Sequence, residues 1–212
     1  MAEFRWFGHN CIRLRAREAT LLFDPVSRGA GFSLPKQTAD IVLLSNDDPA
    51  NTNLDAVKSD YKIVRGPGEY ELHEVFITGI GTFRAEPDAP ERTRNTAYLF
   101  EIEGVRVCHL GDLGHVLSTE QAEALSDVDV LIVPAGGAPI GAAKAAEVVG
   151  QLEPKMVIPV RYAAANGDKK LGGLEAFCKE LGVAVPAADD KLTLRSSDLT
   201  DTMRLVALTP GG

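Results

Sequence analysis

The chain has 212 residues, of which 22 are basic and 30 acidic, giving a formal charge of −8. Hydrophobic residues make up 45% and charged residues 25%, which excludes a disordered or fibrous chain and leaves enough length for a substantial core. The acidic balance is not offset by any block of basic residues, so neither nucleic acid nor an anionic membrane surface is expected as a partner.

The first residues, Met1 to Arg5, lack the basic region and apolar run of a secretory signal. Runs rich in β-branched and aromatic residues then predict short strands over 4–7, 11–14, 20–23, 41–44, 61–64, 75–78, 97–102 and 105–109. Gly66-Pro67-Gly68 and the stretch 79–81 punctuate these runs, and Glu103-Gly104 reads as a hairpin turn. The polar stretch 86–94, with Pro87 and Pro90, reads as an exposed loop. Ser118 and Gln121 have the spacing of a capping box that opens a helix running to Leu125. Helices over 142–152 and 171–181, the second stopped by Gly182, alternate with strands over 130–133 and 156–160. Two further strands are expected over 191–194 and 204–208. The longest uncharged stretch, 130–143, is too short to span a bilayer. Cys11, Cys108 and Cys178 form no CxxC pair, so neither a disulfide framework nor a thiolate zinc site is indicated, and a reducing cytoplasm is expected. Without a linker or a repeat, residues 1–212 read as a single domain, an α/β (α+β) protein with helices on the outer faces of packed sheets.

Polar residues concentrate at three strand-to-loop junctions: 45–51 (Ser-Asn-Asp-Asp-Pro-Ala-Asn), 110–115 (Leu-Gly-Asp-Leu-Gly-His) and 159–162 (Pro-Val-Arg-Tyr). Taken singly, each fits a capped turn. In order, with Trp6-Phe7-Gly8-His9-Asn10-Cys11, Phe23-Asp24-Pro25, Gly66-Pro67-Gly68-Glu69-Tyr70, Asn95-Thr96-Ala97-Tyr98 and Pro134-Ala135-Gly136-Gly137, they resemble the metallo-β-lactamase superfamily. The branch most similar is the short, ascorbate-6-phosphate-lactonase-like group of zinc-dependent hydrolases. The resemblance implies an αββα four-layer sandwich with its site at one edge, between the two sheets.

The resemblance also implies where metal ligands would lie, and there this sequence departs. The superfamily's His-x-His-x-Asp-His motif falls on Asn46, Asp48, Ala50 and Asn51. A later ligand histidine falls near Arg84, the bridging aspartate on Asp112, and the final histidine on Arg161. The expected site therefore has Asn46, Asp48, Asn51, Arg84, Asp112 and Arg161 around it, with His9 and Asp24 as further pocket residues. Of the four histidines, His73 reads as surface and His109 as a strand-end residue. His115, three residues after Asp112, is the one that could face the site. Asp112 and His115 are the candidate catalytic groups.

Two arrangements are open. Arg161, with Arg84, could occupy the volume of the metals and pair with Asp112 and Asp48, while Asn46 and Asn51 complete a hydrogen-bond network. Alternatively, Arg161 could point to solvent above a collapsed pocket. The first favours a metal-free pseudoenzyme, without cofactor, whose pocket could hold a small phosphate- or carboxylate-bearing anion. A second function is a hydrolase of a small phosphorylated or lactone-like compound, with Asp48 and Asp112 as fallback ligands for Mg, Mn or Zn. A third is a structural subunit, a homo-oligomer among other assemblies.

Overall fold

A chain that spends its first half on short apolar strands must stack them to bury both faces. The computed structural model describes residues 1–58, 60–86, 88–164 and 170–211; Pro87, placed above in a polar loop, lies outside them. The strands β1 (Ala2–Trp6), β2 (Ile12–Arg15), β3 (Thr20–Phe23), β4 (Ile41–Leu44) and β5 (Lys62–Arg65) come first. β6 (Gly68–Leu72), β7 (Val75–Phe83), β8 (Arg94–Ile102) and β9 (Val105–His109) follow. After α1 (Thr119–Ala124) come β10 (Val130–Pro134), α2 (Ala142–Leu152), β11 (Met156–Val160) and α3 (Glu175–Glu180). Four short strands close the chain: β12 (Ala188–Asp189), β13 (Leu192–Leu194), β14 (Arg204–Leu205) and β15 (Ala207–Leu208).

Among the described residues these build two large sheets, one in the order β13-β1-β2-β3-β4-β5 and one in the order β14-β11-β10-β9-β8-β7-β6. Side-chain alternation explains how they stack. In β3 and β4, Leu21, Phe23, Ile41 and Leu43 join the core shared with the second sheet, while Leu22, Val42 and Leu44 pack in a separate cluster on the opposite face. Phe23 meets Phe100 of β8 across the interface, ring centroids 5.4 Å apart. The second sheet is covered by α2, which buries Ala145, Val148, Val149 and Leu152. The outer face of the first sheet is covered by irregular chain from residues 24–40 and 45–57, including Val26, Phe32 and Val57 and two short 3-10 turns. The expected layering is present, with the helical layer reduced on that side.

Three expectations change. The stretch 171–181 is helical only over Glu175–Glu180, because Gly172 spends its backbone groups on Gly136 and Ala163 instead of on a helix. The stretch 79–81, read as punctuation between runs, lies inside β7, whose residues 77–83 pair with β8. The expected strand over 204–208 is split, β14 joining β11 and β15 joining β12. The capping box stands: Ser118 Oγ accepts from the Gln121 amide at 3.3 Å, and Gln121 Oε1 from the Ser118 amide at 3.0 Å. All three cysteines are free and buried. No helix among the described residues is long and apolar enough to cross a membrane. The junctions after β4, β9 and β11 meet at one edge of the stacked sheets, where the polar residues are buried.

Candidate functional site

Asp112 is the centre of this site, and the backbone around it explains why. Leaving β9, the chain turns at Gly111 with φ +58°, and a Cβ there would lie 2.4 Å from Cβ of Ser45. Glycine thus lets the β9 loop press against the β4 loop. The Asp112 amide donates to Asn95 Oδ1 at 2.9 Å, fixing the carboxylate between the junctions, fully shielded from solvent. Its Oδ1 accepts from Asn10 Nδ2 at 2.5 Å and from the Arg161 guanidinium. Its Oδ2 accepts from Asn46 Nδ2 and Asn51 Nδ2, both at 3.2 Å, and stands 3.1 Å from Arg84 Nη2. Each of these five groups is a donor.

Arg84 bridges two acids, its Nη2 also lying 2.7 Å from Asp48 Oδ2. Burial opposes the charged form of Asp48, but the Ala50 amide at 2.9 Å and the Arg84 guanidinium outweigh it and hold its pKa below the ordinary value. Arg84 is seated by the loop after Asp112. A Cβ on Gly114 would lie 2.2 Å from the Arg84 carbonyl carbon, and the Gly114 amide donates to Phe83 O at 2.8 Å. His115 Nε2 accepts from the Phe83 amide at 3.1 Å, so its Nδ1, 2.7 Å from Val116 O, is the nitrogen that donates. This corrects the expectation for His115. Both its nitrogens are committed to backbone, so it offers no base to the site and instead fixes the end of β7.

Arg161 sits in left-handed backbone (φ +52°), its amide donating to His9 O at 2.9 Å and its Nε to Ala138 O at 2.8 Å. Its side chain is only 12% exposed, so of the two arrangements left open, the guanidinium points inward to Asp112. His9 and Asp24 are also in left-handed backbone (φ +50° and +43°). Three non-glycine residues in this sparsely occupied region, all beside one site, mark it as locally strained. Burial, then the neighbouring Arg161 charge, push the His9 pKa down to about 4, so the ring is neutral near pH 7. Three buried polar atoms here have no partner among the described residues: His9 Nδ1, Asn10 Oδ1 and Asn51 Oδ1.

Asp24 joins the network through Ser45, whose amide and Oγ donate to it at 2.8 and 2.7 Å, and Asn46 Nδ2 donates to that Oγ at 2.9 Å. Burial outweighs the Ser45 bonds and raises the Asp24 pKa to about 7. His109 stacks on the Phe23 ring at 4.8 Å, its Nε2 donating to Asn10 O and its Nδ1 accepting from the Gly111 amide, both at 3.0 Å. Burial lowers its pKa to about 4. His73 is exposed on the β6–β7 turn.

The structure therefore gathers Asn46, Asp48, Asn51, Arg84 and Arg161 around Asp112, with His9 against them and Asp24 behind Ser45. Asn10, Asn95 and Ser45 were not singled out as site residues, although each lies in a motif quoted above. Among the described residues, no group of three or more His, Cys, Asp or Glu side chains is placed to hold a metal ion. Beside the network opens a groove of about 840 Å³, lined among others by Asn46, Asp48, Arg65, Pro67, Arg84 and Arg94.

Comparison with known proteins decides the family. The model of the β-lactamase superfamily domain matches residues 3–161. The chain belongs to the metallo-β-lactamase superfamily. A solved structure from Thermotoga maritima, proposed as a zinc-dependent hydrolase of this superfamily, is 31% identical, covers 99% of each chain and superposes with a TM-score of 0.80. Among curated relatives, a UPF0173 metal-dependent hydrolase of Natranaerobius thermophilus is 24% identical over 184 residues, 76% of this chain and 83% of that one. A UPF0173 protein of Pyrococcus abyssi is 26% identical over 196 residues, 83% of this chain and 89% of that one.

Proposed function

We propose that this chain is a metal-independent member of its superfamily, a single-domain cytoplasmic protein that binds a small anionic ligand. One observation carries this reading: the carboxylate at the bridging-ligand position is surrounded by hydrogen-bond donors. A carboxylate has about four lone-pair sites, and here five donors converge on them. Three are amide NH2 groups and two are guanidiniums, which stay charged at any working pH. A divalent ion needs several N, S or O acceptors in place of these donors. It would also stand against two fixed positive charges. The residues present do not fit the dinuclear zinc site implied by the resemblance.

The chain's own groups then do two things. Arg84 and Arg161 neutralise Asp112 and Asp48 in a water-poor edge, where an unpaired carboxylate would be costly. His9 is neutral and its Nδ1 is unpartnered, yet the described residues place no Ser, Cys or Thr nucleophile against it. Binding without turnover is what this arrangement supports best.

The relatives' naming as metal-dependent hydrolases favours a second reading, in which Asp48 and Asp112 hold Mg, Mn or Zn and a small phosphorylated or lactone-like compound is hydrolysed. Elemental analysis after dialysis against excess zinc separates the two. The metal-independent reading expects no stoichiometric metal. One or two zinc ions per chain would overturn it. Introducing Asn46→His, Asp48→His, Ala50→Asp, Asn51→His, Arg84→His and Arg161→His together should create zinc uptake, which tests the assignment of those positions.

A further inference from the structure

We infer that the groove beside the Asp112 network is the ligand site, and that it takes an organic oxyanion bearing a phosphate or carboxylate group. This deepens the metal-independent reading and rests on it. The groove's volume, about 840 Å³, lies in the range of small-molecule sites, about 300–1,000 Å³. Arg65, Arg84 and Arg94 line it against only Asp47 and Asp48, a local positive excess in a chain of net charge −8. The guanidinium of Arg92 adds to that excess from 4.3 Å above the ring of Phe83, another wall residue.

Two of these arginines are free to engage a ligand. Arg94 is exposed, and its side chain forms no hydrogen bond or ion pair among the described residues. Arg65 pairs at 2.8 Å with Asp47, whose side chain is 90% exposed, so that pair is weak and readily exchanged for a ligand oxygen. Planar guanidiniums suit both phosphate and carboxylate, and the apolar wall surface of Leu44, Pro67 and Phe83 suits the organic part of such a molecule.

The rim is built to stay in place. Tyr98 Oη donates to Leu44 O at 2.8 Å and accepts from the Gly66 amide at 3.1 Å, tying the two strand ends together. A Cβ on Gly79 of β7 would lie 2.6 Å from Gly66 O, and one on Gly81 would lie 3.3 Å from Pro67. Small residues on β7 thus let the Gly66-Pro67 turn seat against the strand. Such a fixed rim lowers the ordering cost of binding.

The test is calorimetric titration of the full chain, kept in a chelator, with phenyl phosphate, phthalate and benzyl alcohol. Saturable binding of at least one anion is expected, weakening with added salt, and none of the neutral alcohol. Arg65→Ala and Arg94→Ala should each weaken binding about tenfold, the loss of one charged hydrogen bond. Asp47→Asn, which releases Arg65, should strengthen it severalfold. Arg106→Ala, remote on β9, should leave it unchanged. Preference for phenyl phosphate or for phthalate identifies the headgroup, and either upholds the assignment. Absence of binding by both anions, or equal affinity in wild type, Arg65→Ala and Arg94→Ala, overturns it. Both arginines are exposed, and a thermal melt of each variant confirms the fold. Zinc uptake in the separate elemental analysis would overturn metal independence alone, since these titrations are made without metal.

Discussion

Replacing Arg161 by Met removes one of the two cations on a carboxylate that has no solvent exposure. Breaking a buried ion pair this way costs about 3–5 kcal/mol, because the remaining charge is stranded. Arg84 at 3.1 Å and three asparagine amides stay on Asp112, so the low end applies, about 3 kcal/mol. For a chain of this length that corresponds to a fall in the thermal midpoint of about 10 °C. Asp112→Asn alone should cost a similar amount, since it leaves the Arg161 guanidinium without its carboxylate counter-charge. The double variant, with neither charge, should recover much of the loss. Urea denaturation followed by circular dichroism measures all four proteins, and equal m-values certify the comparison. The reasoning is refuted if Arg161→Met lies within about 0.5 kcal/mol of wild type, the range of an ordinary surface change, or if the two single losses simply add.

Two glycines should respond oppositely to alanine: Gly114→Ala drives a methyl into the Arg84 backbone and should cost about 1–3 kcal/mol, whereas Gly150→Ala, with open space inside α2, should gain about 0.5–1 kcal/mol in the same urea assay. His9 and His109, with folded pKa values of about 4 against an ordinary 6.5, contribute stability that is complete above pH 6.5 and lost as pH falls toward 4, about 3 kcal/mol each. Asp24, raised from 3.8 to about 7, acts in the other direction, its proton stabilising the fold at low pH and that contribution, about 4 kcal/mol, fading between pH 4 and 7. Asp24→Asn should therefore make stability climb more steeply with pH over this window; an unchanged slope in urea titrations would show that Asp24 is not held protonated. Ser118→Ala should cost about 1 kcal/mol through loss of the α1 cap, read as a lower urea midpoint.

What could be read from the sequence follows from how locally each feature is determined. The runs at 20–23, 41–44, 105–109 and 156–160 are strands with those bounds because they are apolar, β-branched and largely buried on both faces. β6 carries no such pattern. It is a mostly exposed edge strand of Gly, Glu and Tyr, and its partner β7 determines its conformation. The stretch 171–181 has helical periodicity, but the backbone of Gly172 is spent on Gly136 and Ala163, outside the stretch. In the site, residue identities at Asn46, Asp48, Asn51, Arg84, Asp112 and Arg161 were open to reading, since each lies at a junction with a recognisable order. Direction was not. His115 follows Asp112 by three residues, yet the turn at Gly114 aims its ring at the backbone of Phe83. Asn10 makes the shortest amide contact to Asp112, but nothing in its neighbours announces that a residue one hundred and two positions away will need a donor.

The two guanidiniums that balance Asp112 are covalently part of the polypeptide. Their local abundance therefore obeys no mass action: dilution, dialysis or scarcity in the surroundings leaves it unchanged. A carboxylate neutralised in this way reaches its final electrostatic environment as soon as the chain has folded. That balance needs no cation to be loaded, so it does not vary with the supply of one.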